Sequence, residues 1–217
     1  MINIVFDMDG VLFDTQKIYL KTWFEVAEIL KIDNISEAAY LCVGRNRADQ
    51  HDILKECFGE DFNMEEFYRI KDEIFAQHLS QGGVPLMKGT VEILKYLKSM
   101  NANVAIASSS SVASITHHIE ETGITEYFQK IVGGNMVRHS KPEPDIYLMA
   151  CEQIGSNPKD TYAVEDSYNG IRAAYRAGMK TIMIPDVQPP TPETERMTYG
   201  CFDSLIDFMN YLKEEEH

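Results

Sequence analysis

The fold is decided by a short N-terminal segment, INIVFDMDGV (residues 2–11), which changes abruptly from an apolar strand pattern to two carboxylates and a glycine. Side chains two positions apart on a strand share a face, so Asp7 and Asp9 are predicted to crowd two negative charges. A bound cation, or protonation of one acid, would relieve that repulsion. The alternative interpretation is an exposed acidic turn after an edge strand.

Two neighbouring carboxylates of this kind are suited to phosphoryl transfer. An aspartate can attack phosphorus and form an acyl phosphate, and a second acid two residues later can move the proton of the leaving group. A magnesium ion can bridge a carboxylate and a phosphate. The segment is therefore a candidate for one edge of an active site.

Three later segments also have the pattern of short strands that stop at polar residues. They are residues 103–107 before Ser108, 131–132 before Gly133, and 162–164 before Glu165 and Asp166. Helical patterns alternate with these segments from residue 91 onward, which predicts βαβ units and a parallel sheet. Ligands bind outside the carboxyl ends of such strands, so the polar residues should meet the two N-terminal aspartates in one crevice.

Residues 15–80 differ from the rest, because they show helical periodicity and no convincing strand. Helices are predicted over 15–32, 36–42, 48–58 and 64–79. Gly82 and Gly83 follow the last of these and can form a hinge or an ordinary surface loop. The predicted organisation is an α/β core with a Rossmann-like parallel sheet flanked by helices, residues 1–14 and 86–217, and a small all-helical cap inserted after the first strand, residues 15–85.

The C-terminal part is predicted to contain an irregular connection over 186–194, where three prolines occur, and a last helix over 204–213. Residues 214–217 are expected to be a solvated tail. The four cysteines have no C-x-x-C spacing, which indicates reduced thiols rather than a zinc site: Cys42, Cys57, Cys151 and Cys201.

The charge balance excludes several classes of partner. The chain carries 20 Lys and Arg against 34 Asp and Glu, and its net charge of −14 repels nucleic acid and anionic membranes. No apolar run approaches the roughly 18 residues that span a bilayer, and the N-terminus has no signal-like pattern. We therefore expect a cytoplasmic enzyme, a monomer or weak homodimer, whose partner is a small phosphorylated substrate.

Together these motifs resemble the haloacid dehalogenase superfamily of phosphohydrolases, in particular the branch that contains β-phosphoglucomutase and small sugar-phosphate phosphatases. The matching residues, in the order of the family, are Asp7-Met8-Asp9-Gly10-Val11, Ser108, Lys141-Pro142-Glu143-Pro144-Asp145 and Glu165-Asp166-Ser167. The resemblance covers nearly the whole chain, and it implies a mobile cap that closes over the site and excludes water.

The resemblance also implies roles for the acids. Asp7 would be the nucleophile and Asp9 the general acid and base. Mg²⁺ would be held by Asp7, the backbone carbonyl of Asp9 and Asp166, with several waters retained. Glu165 would be a direct ligand or a second carboxylate that orients a water and pairs with Lys141; the alternative is a carboxylate that only stabilises a helix start.

Ser108 and Lys141 are the candidates for holding the transferring phosphoryl group. Ser108 shares this role with the three serines that follow it, of which Ser109 is a candidate for substrate binding; a helix N-cap is the alternative for this run. Lys141 would neutralise the charge on phosphorus, or it would be an ordinary solvated lysine.

On the cap, Gly44, Arg45 and Arg47 are candidate substrate contacts, with Thr15 at the hinge. The resemblance implies that a cap arginine binds the phosphate that is not transferred, and Arg47 is the better positional match. A solvated helix start is the alternative. Five histidines fall in no family motif and are treated as surface or packing residues: His51, His78, His117, His118 and His139.

Two departures from the mutase pattern favour hydrolysis. Tyr19 stands where the mutases have a histidine, and Ser111 stands where they have a lysine. Lost closing contacts would expose an aspartyl phosphate to water. The predicted function is a Mg²⁺-dependent phosphatase, with a β-phosphoglucomutase as the alternative. A non-enzymatic phosphate-binding or acyl-phosphate receiver module is an alternative of another class, but it needs neither Asp9 nor a cap, and the presence of both counts against it. A dehalogenase is disfavoured because its reaction has no leaving oxygen for Asp9 to protonate.

Overall fold

The computed structural model of the protein describes residues 1–215, so the last two predicted tail residues, 216 and 217, lie outside it. Within this range six parallel strands form one sheet in the order β3-β2-β1-β4-β5-β6. The strands are β1 (Asn3–Phe6), β2 (Asn103–Ser108), β3 (Lys130–Gly133), β4 (Tyr162–Glu165), β5 (Lys180–Met183) and β6 (Gly200–Cys201). This sheet confirms the predicted Rossmann-like core.

Ten α-helices surround or follow the strands within the described residues. Four of them come between β1 and the rest of the core: α1 (Gln16–Leu30), α2 (Ile35–Leu41), α3 (Arg47–Phe58) and α4 (Met64–Gly82). The others are α5 (Thr90–Ser99), α6 (Val112–Glu121), α7 (Asp145–Gln153), α8 (Tyr168–Arg176), α9 (Pro192–Met197) and α10 (Leu205–Glu214). None of these helices is both long and apolar enough to cross a membrane.

Strand β1 lies in the middle of the sheet because its side chains are apolar on both faces. Ile4 and Phe6 belong to the cluster on one face, and Val5 belongs to the cluster on the other. All three side chains are fully buried. Such continuous burial is typical of a parallel strand covered by helices on both sides, and it places the carboxyl end of β1 at the centre of the sheet edge.

Helices α1 to α4 have an apolar core of their own. Trp23 on α1 is fully buried, and its ring meets Phe67 on α4 edge-on at 5.0 Å between centroids. The two connections to the core run side by side, since the amide of Asp14 donates to the carbonyl of Pro85 over 2.9 Å. This arrangement supports the division into core and cap, which remains our proposal.

The structure differs from the predicted elements in two regions. The irregular segment predicted over 186–194 is partly wrong, because α9 begins at Pro192, where a missing backbone N–H costs nothing. Thr191 caps this helix by accepting from the amide of Thr194. The sequence patterns also did not single out β5 and β6, which are only four and two residues long. The predicted last helix is confirmed, with Ser204 as its N-cap.

Helix α4 ends at Gly82, three residues beyond the predicted end, and Gly83 is its C-cap. Its φ of 70° lies in the left-handed region, which favours glycine. Its amide donates to the carbonyl of Leu79 over 2.7 Å. The chain therefore turns sharply from the last cap helix toward the core at the place where a hinge is predicted. The four cysteines are free, in agreement with the predicted thiols.

Candidate active site

Polar side chains from the carboxyl ends of β1, β2 and β4 converge at one edge of the sheet, as predicted. Asp7 follows β1, Ser108 ends β2 and Glu165 ends β4. A cleft of about 400 Å³ opens above Asp7 between this edge and helices α1, α3 and α4. The predicted residues that line it are Asp7, Asp9, Thr15, Gly44, Arg45, Arg47, Ser108 and Ser109. Lys141, Glu165 and Asp166 lie buried beside Asp7.

Lys141 holds two of the carboxylates together. Its Nζ lies 2.5 Å from Asp7 Oδ1 and 2.6 Å from Glu165 Oε1, and it donates to the carbonyl of Ala107 over 3.2 Å. The lysine side chain is 2% exposed, so water screens these ion pairs little. Lys141 is therefore a buried cation of the site, and the alternative of a solvated surface lysine is wrong.

Glu165 is fixed by groups of the protein at both of its oxygens. The hydroxyl of Tyr147 donates to Oε1 over 2.7 Å. Oε2 accepts from the amides of Asp166 and Ser167, at 3.1 and 3.2 Å, and from the Ser167 hydroxyl at 3.1 Å. At Gly170, a Cβ would lie 1.8 Å from Glu165 Oε1. These contacts favour the role of a second carboxylate that pairs with Lys141 over that of a direct metal ligand.

Asp166, in contrast, has no partner for either oxygen. Both atoms are buried without a hydrogen bond, and burial raises the pKa of Asp166 well above its ordinary value. Gly10, with a φ of 83°, leaves room for this carboxylate, since a Cβ there would lie 2.2 Å from Asp166 Oδ2. Unpartnered buried carboxylate oxygens are costly, so the carboxylate fits a ligand that supplies positive charge.

A divalent cation fits this site. Asp7, Glu165 and Asp166 offer oxygens that lie within 4.8 Å of one another, and oxygen atoms are the ligands that Mg²⁺ prefers. Burial raises the pKa of Asp7 to about 8, although Lys141 acts in the opposite direction. A nucleophile must be ionised, and a cation beside Asp7 would favour its carboxylate form at neutral pH. Asp7 and Asp166 are the residues best placed to hold that ion.

The Asp9 side chain is held by Thr15, just before α1, and by Ser110, after β2. Thr15 Oγ1 donates to Oδ1 over 2.5 Å, and Ser110 Oγ donates to Oδ2 over 3.3 Å. The backbone carbonyl of Asp9 accepts from Gln16 Nε2 over a longer 3.4 Å. Thr15 thus has a visible task, which is to orient the Asp9 carboxylate at the start of α1.

The four serines at residues 108–111 make different contacts. Ser108 Oγ accepts from the amide of Ser110 over 3.1 Å, and Ser109 Oγ donates to the carbonyl of Gly44 on the cap over 2.9 Å. Ser111 is the N-cap of α6 and accepts from the amide of Ser114 over 3.2 Å. The capping alternative therefore applies to Ser111, whereas Ser109 links the core to the cap loop.

The two cap arginines differ in how they are engaged. The Arg47 guanidinium lies 2.7 Å from Asp72 Oδ2 and 4.1 Å from the centre of the Tyr68 ring. Arg45 lies 3.6 Å from Asp49, and its Nε is buried without a partner. Arg47 is thus largely occupied by other cap residues, while Arg45 retains a free donor in the cleft wall.

Lys71 and His118 also line the cleft, and our sequence analysis assigned a site role to neither. Lys71 lies on α4, and burial lowers its pKa; its Nζ is 5.0 Å from the centre of the Tyr19 ring. One feature of the sequence could have indicated that Lys71 is special: it lies four residues from both Phe67 and Phe75, so it places a charge in an apolar stripe of the helix.

His118 lies on α6, with its ring edge-on to Phe13 at 5.8 Å between centroids. The side chain is buried, and its Nδ1 has no hydrogen-bond partner. Burial lowers the pKa of His118, which favours the neutral imidazole. The predicted packing role is confirmed by the Phe13 contact, and the cleft position is an addition to it.

Lys141→Met should destabilise the protein by about 3–5 kcal/mol at neutral pH, because it leaves the buried carboxylates of Asp7 and Glu165 without their cation. Urea unfolding followed by circular dichroism measures the loss. The matched control is Lys98→Met, which removes an exposed pair with Glu126 and should cost less than about 1 kcal/mol. Equal losses in the two variants would contradict the importance of the buried pair.

Comparison with known proteins agrees with the geometry. The profile of the haloacid dehalogenase-like hydrolases matches residues 4–184. The chain is 28% identical over 183 residues to a phosphorylated carbohydrates phosphatase of Thermotoga maritima, covering 82% of each protein. It is 26% identical over 182 residues to fructose-1-phosphate phosphatase YqaB of Escherichia coli, covering 83% of this chain and 94% of that protein.

A solved structure shares the fold. β-Phosphoglucomutase from Clostridium difficile superposes with a TM-score of 0.81 at 24% identity, over 99% of this chain and 96% of that one. At this identity the likeness concerns the fold alone. The profile match, however, extends over most of the chain and includes β1, Lys141 and the acids after β4. The chain therefore belongs to the haloacid dehalogenase-like hydrolases.

Proposed function

We propose that the protein is a Mg²⁺-dependent phosphatase of small phosphorylated sugars that works through an aspartyl phosphate on Asp7. The observation that carries this proposal is the pairing of Asp7 with Lys141 at the end of the cleft, beside the unpartnered oxygens of Asp166. The names of the two bacterial relatives, which describe phosphatases of phosphorylated carbohydrate and of fructose 1-phosphate, support the substrate class.

In the first half-reaction a carboxylate oxygen of Asp7 forms a bond to phosphorus, and the bond from phosphorus to the leaving oxygen breaks. Asp9 gives its proton to that leaving oxygen. In the second half-reaction Asp9 takes a proton from water, and the water oxygen forms a bond to phosphorus. The bond from phosphorus to the Asp7 oxygen breaks, which restores the Asp7 carboxylate and releases inorganic phosphate. The contacts of Asp9 with Thr15 and Ser110 keep its carboxylate oriented in both steps.

The charge that develops on the phosphoryl oxygens needs compensation. Lys141 supplies a buried positive charge, and Ser108 with its neighbouring amides supplies hydrogen-bond donors at the end of β2. When bound, Mg²⁺ supplies further charge neutralisation between the carboxylates and the phosphate. Asp7 and Asp166 would hold the ion, with the backbone carbonyl of Asp9 as a third oxygen.

The cap wall suits an anionic or hydroxylated leaving group. Arg45 and Lys71 line the cleft opposite the sheet edge, although the whole chain carries a net charge of −14. A local positive wall in a negative protein favours phosphorylated substrates with a second polar or anionic group. The volume of about 400 Å³ matches a small metabolite rather than a polymer.

A β-phosphoglucomutase is the second candidate, because the order of the sequence motifs resembles the branch that contains the mutases. Against it, Ser111 is engaged as a helix cap, and Tyr19 carries a phenol whose pKa burial raises well above its ordinary value. Neither side chain supplies a cation to the closed site. A monomer or weak homodimer acting in the cytoplasm remains our expectation.

A screen of phosphorylated sugars, measuring free phosphate and isomerised sugar phosphate together, tests the proposal. We expect phosphate release that requires Mg²⁺ and stops in excess chelator. Asp7→Asn should abolish turnover while preserving the fold, and Asp9→Asn should slow it by about 10²–10⁴-fold. Isomerised product without free phosphate would favour the mutase, and turnover by Asp7→Asn near the wild-type rate would exclude Asp7 as the nucleophile.

Arg45→Ala should lower kcat/KM about 10- to 100-fold on sugar bisphosphates, since a charge-assisted hydrogen bond contributes about 1.5–3 kcal/mol. It should affect a simple aryl phosphate much less, because that substrate has no second anionic group. Arg47→Ala is the matched control: its guanidinium is engaged with Asp72 and Tyr68, so its loss should matter less. Equal losses on both substrate types would show that Arg45 acts on cap closure instead.

A further inference from the structure

Asp186 lies on the loop that follows β5, beside the acidic loop that follows β4. The two strand ends are in register, with Glu165 opposite Met183, and the amide of Ile184 donates to the carbonyl of Glu165 over 2.8 Å. The Asp186 side chain is 3% exposed. The family motifs in the sequence do not include this residue, which falls in the segment predicted as an irregular connection.

The two oxygens of Asp186 have different surroundings. Oδ1 lies 2.8 Å from Lys17 Nζ, on the first turn of α1. Oδ2 is buried and has no hydrogen-bond partner. Lys17 is 60% exposed and also lies 2.9 Å from Asp14 Oδ1, so it satisfies only one oxygen of Asp186. A buried carboxylate oxygen without a donor is costly unless water or a ligand reaches it.

The start of α1 brings Asp186 close to Asp166. A Cβ at Gly10 would lie 2.2 Å from Asp166 Oδ2 and 2.9 Å from Gln16 Cγ, and the next residue, Lys17, contacts Asp186. Both oxygens of Asp166 are themselves unpartnered. A small divalent cation keeps several bound waters. These waters can donate hydrogen bonds to nearby carboxylates that do not touch the ion, and such bonds orient the waters. Asp186 Oδ2 is a free acceptor of this kind.

We propose that Asp186 is a positioning residue for the divalent cation: its Oδ2 accepts a hydrogen bond from the water shell of the ion that Asp7 and Asp166 hold. The inference rests on the proposed metal-dependent function. Lys17 pairs with the other oxygen of Asp186 and also contacts Asp14, in the connection between core and cap. The metal site and the start of α1 are thereby linked through one ion pair.

Calorimetric titration of the full chain with MgCl₂, at constant pH and ionic strength, tests this role. Asp186→Asn should weaken Mg²⁺ binding about tenfold, which is typical for loss of an outer partner of a metal site. The matched control Asp14→Asn removes the other acid that contacts Lys17 and should change the affinity less than about threefold, since exposed pairs contribute little. Circular dichroism without Mg²⁺ establishes that each variant is folded.

Lys17→Met separates positioning of the ion from a merely structural ion pair. Removing this positive charge leaves Asp186 in place and makes its surroundings more negative, so Mg²⁺ should bind as tightly as to wild type or more tightly. Equal affinity of wild type and Asp186→Asn would overturn the inference, and so would an equal weakening by Lys17→Met and Asp186→Asn. Absence of Mg²⁺ binding to the wild-type chain would instead overturn the proposed metal-dependent function itself.

Discussion

The site depends on one buried cation, Lys141, which lies between Asp7 and Glu165 at the ends of two adjacent strands. The single ammonium group of Lys141 does not neutralise three buried carboxylates. Oxygens of Asp7, Glu165 and Asp166 lie within 4.8 Å of one another. The protein tolerates this imbalance by fixing Glu165 with Tyr147 and Ser167. Burial raises the pKa values of Asp7 and Asp166, and a divalent cation at the sheet edge would favour the carboxylate form of both.

Residues of the cap also contact side chains of the candidate site. Asp9 is oriented by Thr15 at the start of the first cap helix, and the hydroxyl of Ser109 reaches the cap loop at Gly44. At Gly44 a Cβ would lie 2.8 Å from Ser167 Oγ, so this loop packs closely against the acidic loop of the core. Movement of the cap would therefore change the contacts of Asp9, Ser109 and Ser167.

The sequence predicted the centre of the site because strand and acid are contiguous there: Asp7 directly follows a strand buried on both faces. It did not reveal β5 and β6, since four- and two-residue strands carry too little periodicity. Lys71 was missed because helical periodicity shows that it lies between Phe67 and Phe75 in an apolar stripe but does not show that it reaches the cleft wall. Asp186 was missed for another reason: a proline-rich segment was interpreted as surface, whereas the Asp186 side chain is buried and pairs with Lys17 on α1.

The central claim is that Asp7 needs a bound divalent cation, in addition to Lys141, in order to be ionised at neutral pH. Calorimetric titration with Mg²⁺ at pH 7, in buffers of different ionisation enthalpy, measures the protons released on binding. Because the pKa of Asp7 is raised to about 8, binding should release close to one proton from Asp7, and affinity below that pH should rise about tenfold per pH unit for each proton released. Binding without proton release, at an affinity independent of pH, would contradict the claim.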